Sequence, residues 1–231
     1  MKKKSPGEVL RFSLSERVQH LIMMLCMVVL ALTGLSLRYH HTIWGNWLIR
    51  LEGGLIGRGW IHRAAAVVLI CVAVYHHFYV LLTPRGHRLL QDYLPRSGDL
   101  GRFLQGFRYS MGWRENRPDW GKFNLFQKLQ YLGVVIGVTT MIITGVVLWL
   151  GPPVIALIPK WLLDLTLIIH GGEGLLIFIL LFFWHLYNVH LSPGNFPMNW
   201  SWITGRISRR ECQENHPAEF YRLLKEGELS E

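Results

Sequence analysis

The sequence predicts an all-α integral membrane protein built as a bundle of four transmembrane helices, and three observations lead there. First, 51% of the 231 residues are hydrophobic and 17% charged, with ten Trp and a mean hydropathy of +0.25, more apolar surface than one soluble core needs. Second, residues 15–37, 61–82, 125–150 and 163–190 form four apolar stretches that meet the ~20 residues a bilayer crossing requires. Third, these stretches contain histidines, and ionisable residues inside a membrane face the interior of a bundle and mark function. Each stretch is expected to be helical, because backbone groups in lipid must be hydrogen-bonded within the segment. The four are read as a single membrane domain over residues 1–231.

The elements follow in order. Span 1 comes after a basic leader, Lys2, Lys3 and Lys4, and no small-residue cleavage site follows its apolar run, so it is expected to be retained. Residues 36–60 read as a Gly- and Trp-rich outer loop in which Trp44, Trp47 and Trp60 suit the membrane interface. After span 2, Pro84 and Pro95 punctuate a cytoplasmic loop, residues 83–124. Within it Asp99 is expected to cap a short surface helix whose Leu100, Phe103, Leu104 and Phe107 share a face opposite Arg102 and Arg108. Pro152 and Pro153 end span 3. The tail, residues 203–231, is polar and partly helical, suited to docking on the membrane surface or a partner.

Charge sets the expected orientation. Of 24 Lys and Arg, five lie up to Arg17, nine between Arg85 and Lys128, and five from Arg206 onward, leaving five for the other side. The positive-inside rule then places both termini and the 83–124 loop in the cytoplasm of a bacterial or archaeal cell, with the chain a multi-pass protein of the cytoplasmic (inner) membrane. The net charge of +9 is thereby topological and spread over three membrane flanks, so no nucleic-acid partner is expected. Three isolated cysteines, Cys26, Cys71 and Cys212, give no Cys-x-x-Cys-His for covalent haem and no iron–sulfur or zinc cluster.

The histidines carry the chemistry. His170 and His185 are fifteen residues apart in span 4, about 22 Å at 1.5 Å per residue, with a net rotation of about 60° that keeps both on one broad face. With alternating topology His62 lies level with His170 near the outer side, and His20 level with His185 near the inner side. Two matched depths suit two haem b groups held by bis-histidine ligation between the helices. His76 and His77 share the inner depth of His20, and His62 to His77 repeats the fifteen-residue spacing, so spacing alone does not choose the partner of His185. Gly34, Gly145, Gly171, Gly172 and Gly174 would let a flat macrocycle or another helix approach. His40, His41, His87 and His216 read as solvated loop residues. Glu173, a turn beyond His170, is expected to pair with Arg63, beside His62.

A set of motifs, in order along nearly the whole chain, resembles a known family. These are Glu16-Arg17-Val18-Gln19-His20, Leu32-Thr33-Gly34, Gly57-Arg58, Gly121-Lys122-Phe123-Asn124 with Gln127-Lys128, Ile143-Thr144-Gly145 and Leu167-Ile168-Ile169-His170. The tail adds Gly205-Arg206-Ile207-Ser208-Arg209-Arg210 with His216-Pro217. Together they resemble the dihaem cytochrome b gamma subunit of respiratory formate dehydrogenases, with the nickel–iron hydrogenase b-type cytochromes as relatives. The resemblance implies that His20, His62, His170 and His185 are the haem-iron ligands, which favours His20 over His77 or His76. It also implies a quinone pocket at Asn124 and Gln127 beside the cytoplasmic haem. The two amides are three residues apart on one helical face and can hydrogen-bond a quinone carbonyl or quinol hydroxyl without charge, although Asn124 can equally cap the helix start. The His76-His77 pair and the run from His185 to His190 depart from the family's pattern.

The expected function is electron transfer between an iron–sulfur or multihaem subunit at the outer face and the quinone pool, within the lipid bilayer. A haem-free histidine-lined transporter and a structural anchor for a peripheral enzyme are the competing readings, and an absorption spectrum separates the three.

Overall fold

A computed structural model describes residues 7–113, 116, 118–151, 153, 156–192 and 195–229. The basic leader at Lys2, Lys3 and Lys4, and Pro152, lie outside these residues. The elements are β1 (Glu8–Leu10), α1 (Leu14–Arg38), α2 (Ile43–Leu51), α3 (Gly54–Leu82), α4 (Pro84–Tyr93), α5 (Asp99–Ser110), α6 (Leu125–Leu150), α7 (Lys160–Ile179), α8 (Ser201–Thr204), β2 (Arg206–Ser208), α9 (Arg209–Asn215) and α10 (Pro217–Lys225). Helix α7 runs on as π-helical turns over Leu180–His185 and Tyr187–Leu191, so the fourth span is continuous from Lys160 to Leu191. Helices α1, α3, α6 and this fourth span are long and apolar enough to cross a bilayer. The chain divides into two compact units, residues 18–77 with 134–199, and residues 1–17 with 78–133 and 200–231.

In the first unit the apolar side chains mostly point outward. Ile136, Ile143, Leu167, Ile168 and Phe183 are exposed, as expected for helices whose solvent is lipid rather than water. The interior is small: Cys26, Leu69 and Val138, from α1, α3 and α6, pack with Met23, Met27, Leu30 and Ile142. The outer loop of the sequence reading is shorter than expected, because Thr42 Oγ1 accepts the Gly45 N–H and starts α2. Gly53 and Gly54, at φ +84° and +78°, then turn the chain into α3, which begins well before residue 61.

The second unit is held by polar contacts. Strands β1 and β2 pair antiparallel, Val9 opposite Ile207, over a core of Cys212, Phe220 and Leu223. The tail is therefore folded, partly as helices α9 and α10, in the same unit as β1 and α4. Arg222 clamps Asp92 at 2.7 and 3.1 Å and Glu219 at 2.6 Å. Asp99 does not cap α5; it is the first helical residue, after Gly98. Its buried carboxylate accepts from the Arg96 N–H at 2.7 Å and from Lys128 Nζ at 2.7 Å, fastening α5 to the start of α6. That donor set, set against burial, holds the Asp99 carboxyl below its ordinary range.

Candidate functional site

The first turns of α1 and α6 are both built from reciprocal caps. Ser13 N donates to Glu16 Oε2 at 2.8 Å while Glu16 N donates to Ser13 Oγ at 3.3 Å, the capping box that opens the helix bearing His20. Glu16 Oε1 also accepts from Tyr79 and from Arg85, at 2.8 and 2.9 Å. At α6, Asn124 N donates to Gln127 Oε1 at 3.0 Å and Gln127 N to Asn124 Oδ1 at 2.9 Å. Both amide oxygens are thus committed to the helix start, and the two NH2 groups stay outside the box. Asn124 also lines a cavity of about 380 Å³ with Phe103, Phe107, Trp120, Phe126 and Glu214.

The structure brings the four predicted histidines together as two facing pairs. His62 on α3 and His170 on α7 have ring centroids 6.4 Å apart, with planes 65° apart. His20 on α1 and His185, at the end of the first π turn, have centroids 6.3 Å apart and planes 44° apart. His77 instead turns Nδ1 to the Ala73 carbonyl of its own helix at 2.7 Å and is exposed, and His76 Nδ1 lies 2.9 Å from Gln19 Oε1.

These separations fit an iron atom between the rings. A metal about 2.0–2.1 Å from each imidazole nitrogen, with each centroid roughly 1.1 Å further out, puts the centroids about 6.3 Å apart. Rotation about the shared ligand axis accommodates either interplanar angle. Gly145 completes the fit at His170, because a Cβ there would lie 3.1 Å from His170 Cε1. A Cβ on Gly34 would meet no protein atom within 4 Å.

Several features here have little or no signature in the residue pattern. Thr33 Oγ1 is 2.7 Å from His62 Nδ1, and Thr144 Oγ1 is 2.9 Å from His170 Nδ1, so the Leu-Thr-Gly and Ile-Thr-Gly repeats matter through threonine as well as glycine. Their recurrence, each in the span preceding a histidine of this pair, is the signal that could have found them. Arg58 Nη1 donates to the Thr33 carbonyl at 2.7 Å and Arg38 Nη1 to that of Gly171 at 3.2 Å. The π turns also change the arithmetic of span 4. An unbroken α-helix leaves His185 about 60° from the direction of His170, and a π turn, advancing each residue through a smaller angle, changes that offset.

Two expectations fail. Arg63 and Glu173 form no ion pair: the Arg63 guanidinium carbon lies 5.7 Å over the Trp149 ring, while Glu173 Oε1 sits against Gly137, 2.7 Å from where a Cβ there would lie. Both groups turn toward α6, a geometry that depth matching between spans 2 and 4 does not capture. His216 is not solvated either. It is half-buried with Nδ1 donating to the Gly121 carbonyl at 2.9 Å, and burial, with Arg11 and then Lys122 nearby, pushes its pKa down to about 3 against that hydrogen bond.

Four apolar helices carrying facing histidine pairs define a multi-pass membrane cytochrome of the b type. The chain belongs to the prokaryotic cytochrome b561 family, whose sequence model matches residues 11–193, and the family implies haem b. Its relatives include the cytochrome b556(Fdn) subunits of the nitrate-inducible formate dehydrogenases of Escherichia coli K12, Escherichia coli O157:H7 and Shigella flexneri. Each is 23% identical over 220 residues, covering 95% of this chain and 93% of that protein. The family resemblance drawn from the motifs is borne out.

Proposed function

We propose that this chain is the membrane haem b subunit of a respiratory oxidoreductase complex, carrying electrons between a redox partner subunit at the outer face and the quinone pool at the cytoplasmic face. The observation that carries the reading is the pair of facing histidine couples, at 6.4 and 6.3 Å, which supports two haem b groups. His62 and His170 hold the outer haem, and His20 and His185 the inner one. When bound, haem b supplies reversible one-electron exchange between ferric and ferrous iron.

The chain's own residues do the rest. Four imidazoles would hold the two haem irons, and the apolar helices would keep both sites away from water. Asn124 and Gln127 offer uncharged hydrogen-bonding groups to a quinone or quinol, whose head passes protons as well as electrons. The partner is an iron–sulfur or multihaem electron-transfer subunit. The skew of basic residues supports both termini at the cytoplasmic face, and the prokaryotic family supports a bacterial or archaeal inner membrane.

Haem counting tests this. Pyridine haemochrome assay should give two haems per chain, falling to one in His62→Ala or His170→Ala and to one in His20→Ala or His185→Ala, with the two groups losing different haems in redox titration. Retention of both haems in His20→Ala, with loss of one in His77→Ala, would overturn the inner assignment.

A further inference from the structure

The hydroxyls of Thr33 and Thr144 each have one proton to give, and the helix behind them takes it. Thr33 Oγ1 donates to the Val29 carbonyl at 2.7 Å, and Thr144 Oγ1 donates to the Thr140 carbonyl at 2.7 Å, each one turn back along its own helix. A hydroxyl whose hydrogen is committed can only accept from a further neighbour. That neighbour is a histidine Nδ1, at 2.7 Å for His62 and 2.9 Å for His170. Each Nδ1 must then carry the hydrogen, and each Nε2 is left with its lone pair. Both threonines are buried, Thr33 at 2% exposure and Thr144 at 8%, so water does not compete for the contact. Arg58, one turn before His62 on α3, donates to the Thr33 carbonyl at 2.7 Å and ties the same two helices together a second time.

We propose that Thr33 and Thr144 are positioning residues that lock His62 and His170 in the Nδ1-protonated tautomer, aim both Nε2 atoms at one shared axial site, and lower the reduction potential of the haem held there. The inference rests on the reading that these two histidines hold one haem. Its physical basis is that an acceptor on Nδ1–H makes the imidazole a stronger donor, and a stronger donor favours ferric over ferrous iron. The two threonines act in the same sense on opposite faces of one iron, so their effects should add in direction.

The test compares Thr33→Val and Thr144→Val, which keep shape and remove the acceptor, with Thr33→Ser and Thr144→Ser, which restore it. Optical redox titration of the haem-loaded complex should show one haem moving to higher potential in each Val variant, further in the double variant, while the other haem stays put. Haem affinity at that site should fall about 10–100-fold, and Ser should return both readouts toward wild type. If a Val variant does not accumulate, the Ala variant at the same position gives the same reading, with the unmoved second haem reporting that the bundle is intact.

Potentials unmoved in both Val variants, or moved equally by Val and Ser, overturn the proposal. His62→Ala and His170→Ala serve as controls. If they each delete a haem while the threonine variants do nothing, the positioning role alone fails; if they delete none, the ligand reading fails and takes this proposal with it.

Discussion

The two histidine pairs reach nearly the same ring separation, 6.4 and 6.3 Å, by different means. His62 and His170 sit on regular α-helix, each with its Nδ1 held by a threonine of another span. His185 sits where the helix has become π-helical, and its buried Nδ1 has no hydrogen-bond partner among the described residues. On the proposed role of the threonines one pair is aimed by side chains, whereas the direction of His185 depends on the path of a π-helical backbone. A hydrogen bond fixes a ring locally and can be removed one atom at a time, whereas a π turn fixes the direction of everything beyond it. The second device is therefore sensitive to residue count and insensitive to most single substitutions nearby.

That difference gives the largest expected effect. Inserting one Ala between Ile179 and Leu180 rotates His185 by about 100° and moves it about 1.5 Å along the axis. If, as proposed, each pair holds one haem, the haem at His20 and His185 should be lost while the one at His62 and His170 remains, so the haem-to-protein ratio drops by half. If both haems survive, the π turns absorb the extra residue and do not set the direction of His185.

A smaller effect is expected at Asn124 and Gln127. Their reciprocal caps predict that Asn124→Ala costs about 1 kcal/mol at the start of α6 without touching haem content. If their amides also meet the quinone, each Ala variant should slow quinol-driven haem reduction about fivefold, the worth of one hydrogen bond near 1 kcal/mol. Stopped-flow traces at the haem bands would show it. Unchanged rates in both variants leave these residues with capping alone, and remove the main reason for treating the His20 and His185 pair as the quinone-linked one.

Much of this was legible in the sequence, and the reasons are physical. Hydropathy finds the spans because lipid demands long apolar helices, and α1 and α6 end within a residue of where the apolar runs do. Matched depth brings His62 to His170 and His20 to His185 because a rigid helix converts residue number into height. What was missed depends on rotation or on local partners. The π turns need hydrogen-bond geometry, which hydropathy does not carry. The pair expected between Arg63 and Glu173 failed because equal depth says nothing of which neighbour a side chain faces. In the polar unit, α4 and the packing of the tail escaped notice because ion pairs such as Arg222 with Asp92 join segments far apart in sequence.

The last effect concerns pH, and whether acid treats the two pairs alike. His216 belongs to the polar unit, and burial beside Arg11 and Lys122 pushes its pKa to about 3, against an ordinary value near 6.5. The folded pKa lies below the unfolded one, so the unfolded chain binds the extra proton first. The associated stability is complete above pH 6.5 and is lost as pH falls toward 3, at up to about 1.4 kcal/mol per pH unit within that window. Melting of the loaded complex, followed at the haem bands, should therefore shift downward from pH 6.5 to 5 for both haems in parallel. In His216→Asn, which keeps an N–H to offer the Gly121 carbonyl but does not titrate, the dependence should flatten. A dependence that persists in the variant, or a haem that leaves one pair at a higher pH than the other, would place the acid-sensitive step at the histidine pairs and extend the difference between them to their response to protons.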